Sequence, residues 1–300
     1  SVRYICVSGS AVAVYQYVQY SFCFLYGVVV FFFQEEGGIR ELVRSRGLGD
    51  GYKRQGFGLA RRFAQDGMHI VLADIESEPL AIAEAALSAM GTTTLAVRTD
   101  VSSPEQVERL AEVAFSTFGN VHILCNNAGV AGKFSMGTAG WEIPLSEWQW
   151  VLGVNLMGVL HGVRAFIPRM VANGEEGHIV NTASIAGLLS GASPYHVAKH
   201  GVVCLTEGLY KDFKSRGLRL SASVLCPGWI QTNLMDSERN RPPEFGAPTD
   251  RSLLSPTGLQ AFEAVRSAVD DGISPADVAE QVFEAVRDDR FYVIPAQPGM

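Results

Sequence analysis

Between residues 56 and 295, short apolar runs alternate with longer stretches whose apolar positions follow a helical period. The runs predict strands at 69–74, 94–99, 121–126, 177–183, 219–225 and 291–294. The stretches between them predict helices at 57–66, 77–90, 103–118, 145–171, 194–216, 257–270 and 275–287. Two helix starts are marked by their chemistry: Ser102-Ser103-Pro104-Glu105 and Ser274-Pro275-Ala276-Asp277 each place proline in a first turn. Strand-helix alternation implies an α/β fold, with a doubly wound parallel sheet covered on both faces. Ligands of such sheets bind beyond the carboxyl ends of the strands. Asp74, Asp100, Asn127, Ser184 and Thr232 all fall at or just after such ends, a coincidence that a purely structural pattern does not require.

The first 55 residues break the pattern. No charged residue lies between Arg3 and Glu35, and Tyr15, Tyr17, Tyr20, Phe22, Phe24, Tyr26, Phe31, Phe32 and Phe33 concentrate the aromatics there. Three readings stay open. Residues 11–33 are long enough to span a membrane as a helix, with Arg40, Arg44, Arg46, Lys53 and Arg54 on the following side, although Gln16, Gln19 and Ser21 interrupt the run. Alternatively, Gly27 to Phe33 supplies the first strand of the sheet, since buried parallel strands read as continuous apolar runs. That strand would need a connection of about twenty residues where a tight turn is usual. The third reading is an altered terminus joined to the domain at about Gln55. No small-residue cleavage site suggests a secretory signal.

Composition narrows the class. The 300 residues suffice for one large core, and a net charge of -7 offers nucleic acid little attraction. Cys6, Cys23, Cys125, Cys204 and Cys226 have no paired spacing, which fits reduced thiols in the cytoplasm. His196 and His200 share a helix face but lack a third ligand nearby, so no metal site is expected.

The chemistry concentrates in Ser193-Pro194-Tyr195-His196-Val197-Ala198-Lys199. Residues four apart on a helix share a face, which brings the Lys199 ammonium near the Tyr195 phenol. A phenol serving as a base near neutrality needs its pKa, ordinarily near 10, lowered by roughly three pH units, or about 4 kcal/mol. One unit charge at about 4 Å in an effective dielectric near 20 supplies about that much. Spacing alone does not choose the pair, because Tyr210 and Lys214 repeat it about 22 Å further along the same helix, amid Asp212, Arg216 and Gly217. Context does choose. Gly177-His178-Ile179-Val180-Asn181-Thr182-Ala183-Ser184 delivers Ser184 to a strand end, Val154-Asn155-Leu156-Met157-Gly158 puts a polar Asn155 inside an apolar helix, and Ser221 to Cys226 leads into Pro227-Gly228-Trp229-Ile230-Gln231-Thr232.

In this order the pieces resemble the short-chain dehydrogenase/reductase family from about Gly56 to Pro295. The resemblance implies a single-domain Rossmann-type fold over residues 56–300, an atypical extension over 1–55 and a substrate lid over about 233–270. It also implies a catalytic tetrad of Asn155, Ser184, Tyr195 and Lys199. Tyr195 would be general acid/base, Ser184 the partner of the substrate oxygen, Lys199 the ribose anchor and pKa depressant, and Asn155 the holder of a water in the proton relay. Cofactor positions carried over are Gly56, Phe57 and Gly58 at the phosphate loop, Asp100 and Val101 near the adenine, and Asn127, Ala128 and Gly129. Pro227, Gly228, Ile230 and Thr232 at the nicotinamide side complete them, with Tyr195 and Lys199.

Asp74 ends a strand where an acid accepts hydrogen bonds from the adenosine ribose and repels a 2'-phosphate. Neither Gln55 nor Ile75 supplies a cation for that phosphate, so NAD is expected over NADP. The sequence departs from the family at Gly51 and Tyr52, where threonine and glycine would open the phosphate loop; a tyrosine there would crowd the pyrophosphate. Leu234, Met235, Pro242, Pro243, Phe245, Leu253 and Leu254, with Trp141 and Trp229, suggest a partly apolar pocket. The expected activity is hydride transfer between nicotinamide and a secondary alcohol or ketone. The rival is a catalytically impaired scaffold or regulatory protein. By resemblance, helices near 145–171 and 194–216 would pair subunits into a homodimer or homotetramer.

Overall fold

A computed structural model of the chain describes residues 29–33, 55–133, 138–250 and 254–296. Seven strands form one sheet in the order β3-β2-β1-β4-β5-β6-β7. They are β1 (Val29–Phe33), β2 (His69–Asp74), β3 (Thr94–Arg98), β4 (Ile123–Asn126), β5 (Gly177–Thr182), β6 (Leu220–Leu225) and β7 (Tyr292–Val293). The helices are α1 (Gln55–Ala64), α2 (Ser77–Ser88), α3 (Pro104–Phe118), α4 (Leu145–Leu152), α5 (Gly158–Asn173), α6 (Pro194–Ser215), α7 (Pro256–Asp270) and α8 (Pro275–Arg287). Element identities follow the apolar pattern throughout, with ends that differ by one or two residues.

The doubly wound α/β fold holds, with one strand reversed inside it. β2 and β3 pair in parallel, as do β4, β5, β6 and β7 in succession. β1 fills the central slot but runs antiparallel to both neighbours, with Val29 opposite Ala73, Phe33 opposite His69 and Val30 opposite Cys125. A central slot left empty would strand two rows of backbone donors and acceptors. A continuous apolar run carries no directional pattern, and antiparallel pairing is slightly stronger per residue. Residues 34–54 separate β1 from α1 and so release the strand from the direction that a short crossover would impose. Gly51 and Tyr52 lie outside the described residues, as do residues 1–28.

Both faces of the sheet are covered. Along β2, Ile70 and Leu72 pack with Leu59 and Phe63 of α1, Leu80 and Leu87 of α2 and Phe283 of α8. Val71 and Ala73 turn the other way, onto Leu110 and Ala114 of α3, Phe166 of α5 and Phe213 of α6. Four helices start with the same device: the hydroxyls of Ser103, Ser193, Ser255 and Ser274 accept from the backbone N–H three residues on, each ahead of a proline. Such a cap contributes about 1 kcal/mol. The helix expected over 145–171 is interrupted. A π turn at Gly153–Met157 divides it into α4 and α5, closed by the Gly158 N–H donating to the Gly153 carbonyl. This stretch, Leu145–Asn173, contains a segment apolar and long enough to cross a membrane by composition, yet more than half of that segment is buried inside the protein.

A buried polar ladder ties the sheet to α6. Asn126 Nδ2 donates to Asn181 Oδ1 at 2.9 Å, Asn181 Nδ2 donates to Thr206 Oγ1 at 3.0 Å, and Thr206 Oγ1 donates to the Val202 carbonyl at 2.6 Å. α5 comes close enough to the first rung only because residue 162 is glycine; a Cβ there would overlap the Asn126 amide. Gly162→Ala is therefore expected to destabilise the chain by about 1–3 kcal/mol, the usual cost of overpacking a close-fitted core. Urea unfolding checks it: the midpoint falls while the slope is unchanged, and an unshifted midpoint contradicts the packing.

Candidate active site

The ends of β4, β5 and β6 carry most of the chemistry. Past β5, Ser184 is fully buried, and its hydroxyl accepts from the Ala186 N–H at 3.1 Å, capping the short 3-10 turn Ile185–Leu188. The Ile185 N–H donates to the Pro227 carbonyl at 2.9 Å, which joins this turn to the Pro227-Gly228 segment after β6. The same turn rests on α6. A Cβ on Gly187 would lie 2.7 Å from the Lys199 carbonyl oxygen, so the absent side chain sets the approach. Ser184 is thereby brought beside the first two turns of α6, which carry Tyr195 and Lys199. Tyr195 is buried among Val130, Trp150, Ala186, Ala198 and Leu234, with Trp229, Met235 and Phe245 packed at the margin.

Lys199 is the electrostatic centre. It is completely buried, its Nζ donates to the Thr182 carbonyl at 2.9 Å and lies 5.8 Å from the centroid of the Tyr195 ring. Burial pushes its pKa down from 10.5 to about 7, against a smaller upward pull from Cys226. The buried Cys226 thiol is pushed up to about 12, although the Ser184 backbone N–H and Lys199 favour its ionised form. The repeat of the spacing behaves oppositely. Lys214 sits 5.1 Å from the Tyr210 ring but pairs with Asp289 at 2.9 Å on the exposed side, and its pKa rises, chiefly through the hydrogen bond to Asp289. Equal spacing thus yields two environments, and only the first makes a lysine that exchanges protons near neutrality.

Asn155 occupies the π turn and is fully buried. Its Oδ1 accepts from the Val130 N–H at 2.7 Å and its Nδ2 donates to the Val130 carbonyl at 2.8 Å. The side chain therefore clamps the Val130 backbone on both sides of its Cα, and Val130 packs with Tyr195. Asn127 is likewise committed, with Oδ1 accepting from Thr182 Oγ1 at 3.0 Å.

A cavity of about 200 Å³ opens beside these groups. Asp74, Asp100, Val101, Ala128 and Gly129 form one wall, and Trp150, Asn240, Pro242 and Phe245 the other. Asp74 Oδ1 accepts from the Glu76 N–H at 2.9 Å, and Asp100 Oδ1 accepts from the Ser102 N–H and hydroxyl at 2.9 and 2.7 Å. Gly158 allows α5 to pass Val101, whose Cγ2 would lie 2.8 Å from an added Cβ.

Gly56 and Phe57 are buried in the first turn of α1, while Gly58 serves helix packing, since a Cβ there would come within 2.8 Å of the Pro275 carbonyl. Ile230 is fully buried and bridges to Ile273. Buried polar atoms with no hydrogen-bond partner among the described residues include the Thr232 hydroxyl past β6, both ends of the Gln55 amide where α1 begins, the Thr249 hydroxyl, and single guanidinium nitrogens of Arg61, Arg62 and Arg241. Buried polar atoms of this kind are normally satisfied. The Gln55 amide and the Thr232 hydroxyl could each serve a bound molecule with donors and acceptors.

Other expected groups lie elsewhere. Trp141 is 90% exposed and does not line this cavity. The ring nitrogens of His196 and His200 meet the Ser193 hydroxyl and the Gly187 carbonyl, and no cluster of three metal-ligating side chains occurs among the described residues. Sequence reading missed Glu147 and Arg241, a buried pair at 2.8 Å, and Glu76 and Arg239, at 2.7 Å. The alternation Glu238-Arg239-Asn240-Arg241 was the available signal, but nothing local names partners so distant in the chain.

Residues 53–243 match the profile of a family described as short chain dehydrogenase. The 1-deoxy-11-beta-hydroxypentalenate dehydrogenase of Streptomyces exfoliatus is 35% identical over 240 residues, covering 79% of this chain and 78% of its own length. The CLA biosynthesis dehydrogenase/reductase of Lactiplantibacillus plantarum is 32% identical, with 80% and 84% covered. Among solved structures, a short chain dehydrogenase/reductase from Burkholderia phymatum in complex with NAD superposes with a TM-score of 0.73 at 43% identity, over 80% of this chain and 84% of that one.

The lysine supplies a stability test. Between pH 7 and about 10 the native chain holds Lys199 neutral while the unfolded chain keeps it protonated. The unfolded state then binds more protons, and wild-type stability climbs with pH. Lys199→Met removes this titration. The variant is expected to exceed the wild type in stability at pH 7, and the gap to close with rising pH at about 1.4 kcal/mol per unit. Urea midpoints at pH 7, 8 and 9 measure it, and a gap independent of pH refutes the depressed lysine.

Proposed function

This chain belongs to the short-chain dehydrogenase/reductase family, and we propose that it moves a hydride between a nicotinamide cofactor and a secondary alcohol or ketone of moderate size, with Tyr195 as general acid/base. The observation that carries the reading is Lys199: a buried amine with a pKa near 7, one helical turn from a tyrosine in an apolar pocket at the carboxyl edge of the sheet. Bound nicotinamide supplies the hydride acceptor in oxidation and the donor in reduction. In oxidation, Tyr195 Oη takes the hydroxyl proton as the carbinol carbon loses its hydride, and in reduction it returns that proton to the carbonyl oxygen. The Ser184 hydroxyl orients the substrate oxygen. Protonated Lys199 would favour the phenolate through its charge and would also hold ribose hydroxyls. Asn155 fixes the Val130 peptide that borders Tyr195.

Asp74, Asp100, Val101, Asn127, Ala128 and Gly129 would hold the adenosine side, Gly56, Phe57 and Gly58 the phosphates, and Pro227, Gly228, Ile230 and Thr232 the nicotinamide side. The Asp74 carboxylate favours NAD over NADP by repelling a 2'-phosphate. The complex of the Burkholderia phymatum relative with NAD supports that preference. We further place the enzyme in the cytoplasm as a homodimer or homotetramer, with residues 56–300 as the catalytic domain, 233–270 as its lid and 1–55 as an atypical segment.

One observation favours a second reading. β1 is reversed, so the family's tight strand-to-helix turn at the phosphates is replaced by residues 34–54. A chain that lost pyrophosphate binding this way would be a scaffold. Calorimetry with NAD separates the two: the scaffold gives no heat at millimolar NAD, and the enzyme gives a saturable signal. Tyr195→Phe is expected to lower turnover of NAD with a panel of secondary alcohols by about 100-fold or more while leaving NAD binding intact. Turnover within a few fold of the wild type sinks the assignment of the base.

A further inference from the structure

Tyr195 is bordered by apolar side chains that remain partly exposed: Val154 of the π turn, Trp229 after β6, and Met235 and Phe245 of the lid. The polar groups along this wall are already committed. Asn155 gives both ends of its amide to Val130, and the Ser237 hydroxyl accepts from the Ala131 N–H at 3.1 Å. A substrate bearing several hydroxyls finds few partners here, and a hydroxyl buried without one weakens binding.

The charges are committed in the same way. Three arginines are described between residues 234 and 270, and each faces a carboxylate. Arg239 meets Glu76 at 2.7 Å, Arg266 meets Asp236 at 3.3 Å, and Arg241 is shared by Glu147 at 2.8 Å and Glu238 at 2.9 Å. The Arg241 side chain is fully buried, and its guanidinium lies 4.0 Å from the centroid of the Trp150 ring, which packs in the same cluster as Tyr195. Four carboxylates thus answer three guanidiniums, and the balance behind the apolar wall is negative. Lys133 is a further cation, on the segment after β4, and its backbone N–H is tied to Glu147 Oε1 at 2.6 Å, beside that excess.

We infer that the substrate is a neutral, apolar secondary alcohol or ketone, and that this wall turns away carboxylates and polyols. The inference rests on the hydride-transfer reading of Tyr195 and names the substrate class of that site. A carboxylate entering the cleft loses water, meets no uncommitted guanidinium of the lid or α7, and stands near the surplus of Glu147 and Glu238. A methylene entering it gains by leaving water. Selection comes from what the wall refuses as much as from what it holds.

The test measures kcat/KM at saturating NAD for cyclohexanol and its 4-methyl, 4-ethyl and 4-propyl derivatives, and for 4-hydroxycyclohexanecarboxylate beside its methyl ester. Each added carbon is expected to raise kcat/KM about two- to fourfold until the pocket is full. The ester is expected to exceed the acid by about 100-fold or more. Met235→Lys, which sets an unpaired cation in the wall, is expected to narrow that ratio about tenfold. Lys133→Met is expected to leave the ratio where it was. An acid used within about tenfold of its ester, or a flat alkyl series, overturns the substrate class alone. A ratio that Met235→Lys leaves unchanged, or that Lys133→Met widens, overturns its electrostatic basis. A chain that binds NAD by calorimetry but oxidises none of these alcohols overturns the hydride reading and the substrate class together.

Discussion

The site depends on removing one amine from water. Lys199 is held entirely inside the protein by a helix start whose cap is Ser193, by a 3-10 turn that approaches because Gly187 has no side chain, and by the Thr182 carbonyl at 2.9 Å. One hydrogen bond does not replace full hydration of an ammonium, and the pKa falls to about 7. A fold selected for stability alone has no use for such a group, since an apolar side chain of similar length would fill the space without the desolvation cost. The cost is intelligible if the amine's charge must act on the Tyr195 phenol from inside the protein. Lys214 offers the contrast within the same helix: hydrated, paired with Asp289 and shifted upward.

The reversed β1 shows which parts of the fold depend on the strand-to-helix turn and which do not. The central slot needs backbone hydrogen bonds on both sides, and a strand of either direction supplies them. α1 does not take its position from that turn. Gly58 lets it cross the start of α8, Arg62 lies over the Phe283 ring at 3.4 Å, and the same guanidinium pairs with Glu280 at 2.7 Å. The first turn of α1, with Gln55 and Gly56, is therefore held by its packing on α8.

Periodicity revealed the fold because both faces of the sheet are apolar and the helices carry their own start signals, as at Ser103-Pro104 and Ser274-Pro275. The direction of β1 was hidden for the same reason: Val29 to Phe33 is apolar throughout, and a uniform run reads alike forwards and backwards. At the site, Tyr195 and Lys199 were visible because one helix carries both. The commitment of Asn155 to Val130 was not visible, since it depends on a π turn that adds one residue to a helix whose pattern is otherwise continuous. Trp141 shows the converse error: an aromatic near the pocket in sequence stands in solvent. The arginines of the lid find partners across the cleft, in α4 and in the turn after β2, and linear pattern carries no information about charges that meet only after the sheet has formed.

Those distant charges give the segment after β4 a particular mechanical character. Val130 is clamped by Asn155, Ala131 donates to Ser237, and Lys133 donates to Glu147, which in turn holds Arg241. Gly132 has φ +81 and passes so close to Glu147 that an added Cβ would lie 2.7 Å from its carboxylate. Four successive residues are therefore tied alternately to the π turn, to the lid and to α4. The groups around Tyr195 and the buried root of the lid share one short stretch of backbone, with no solvent-filled slack between them. A displacement of this root would have to shift the backbone that borders the phenol.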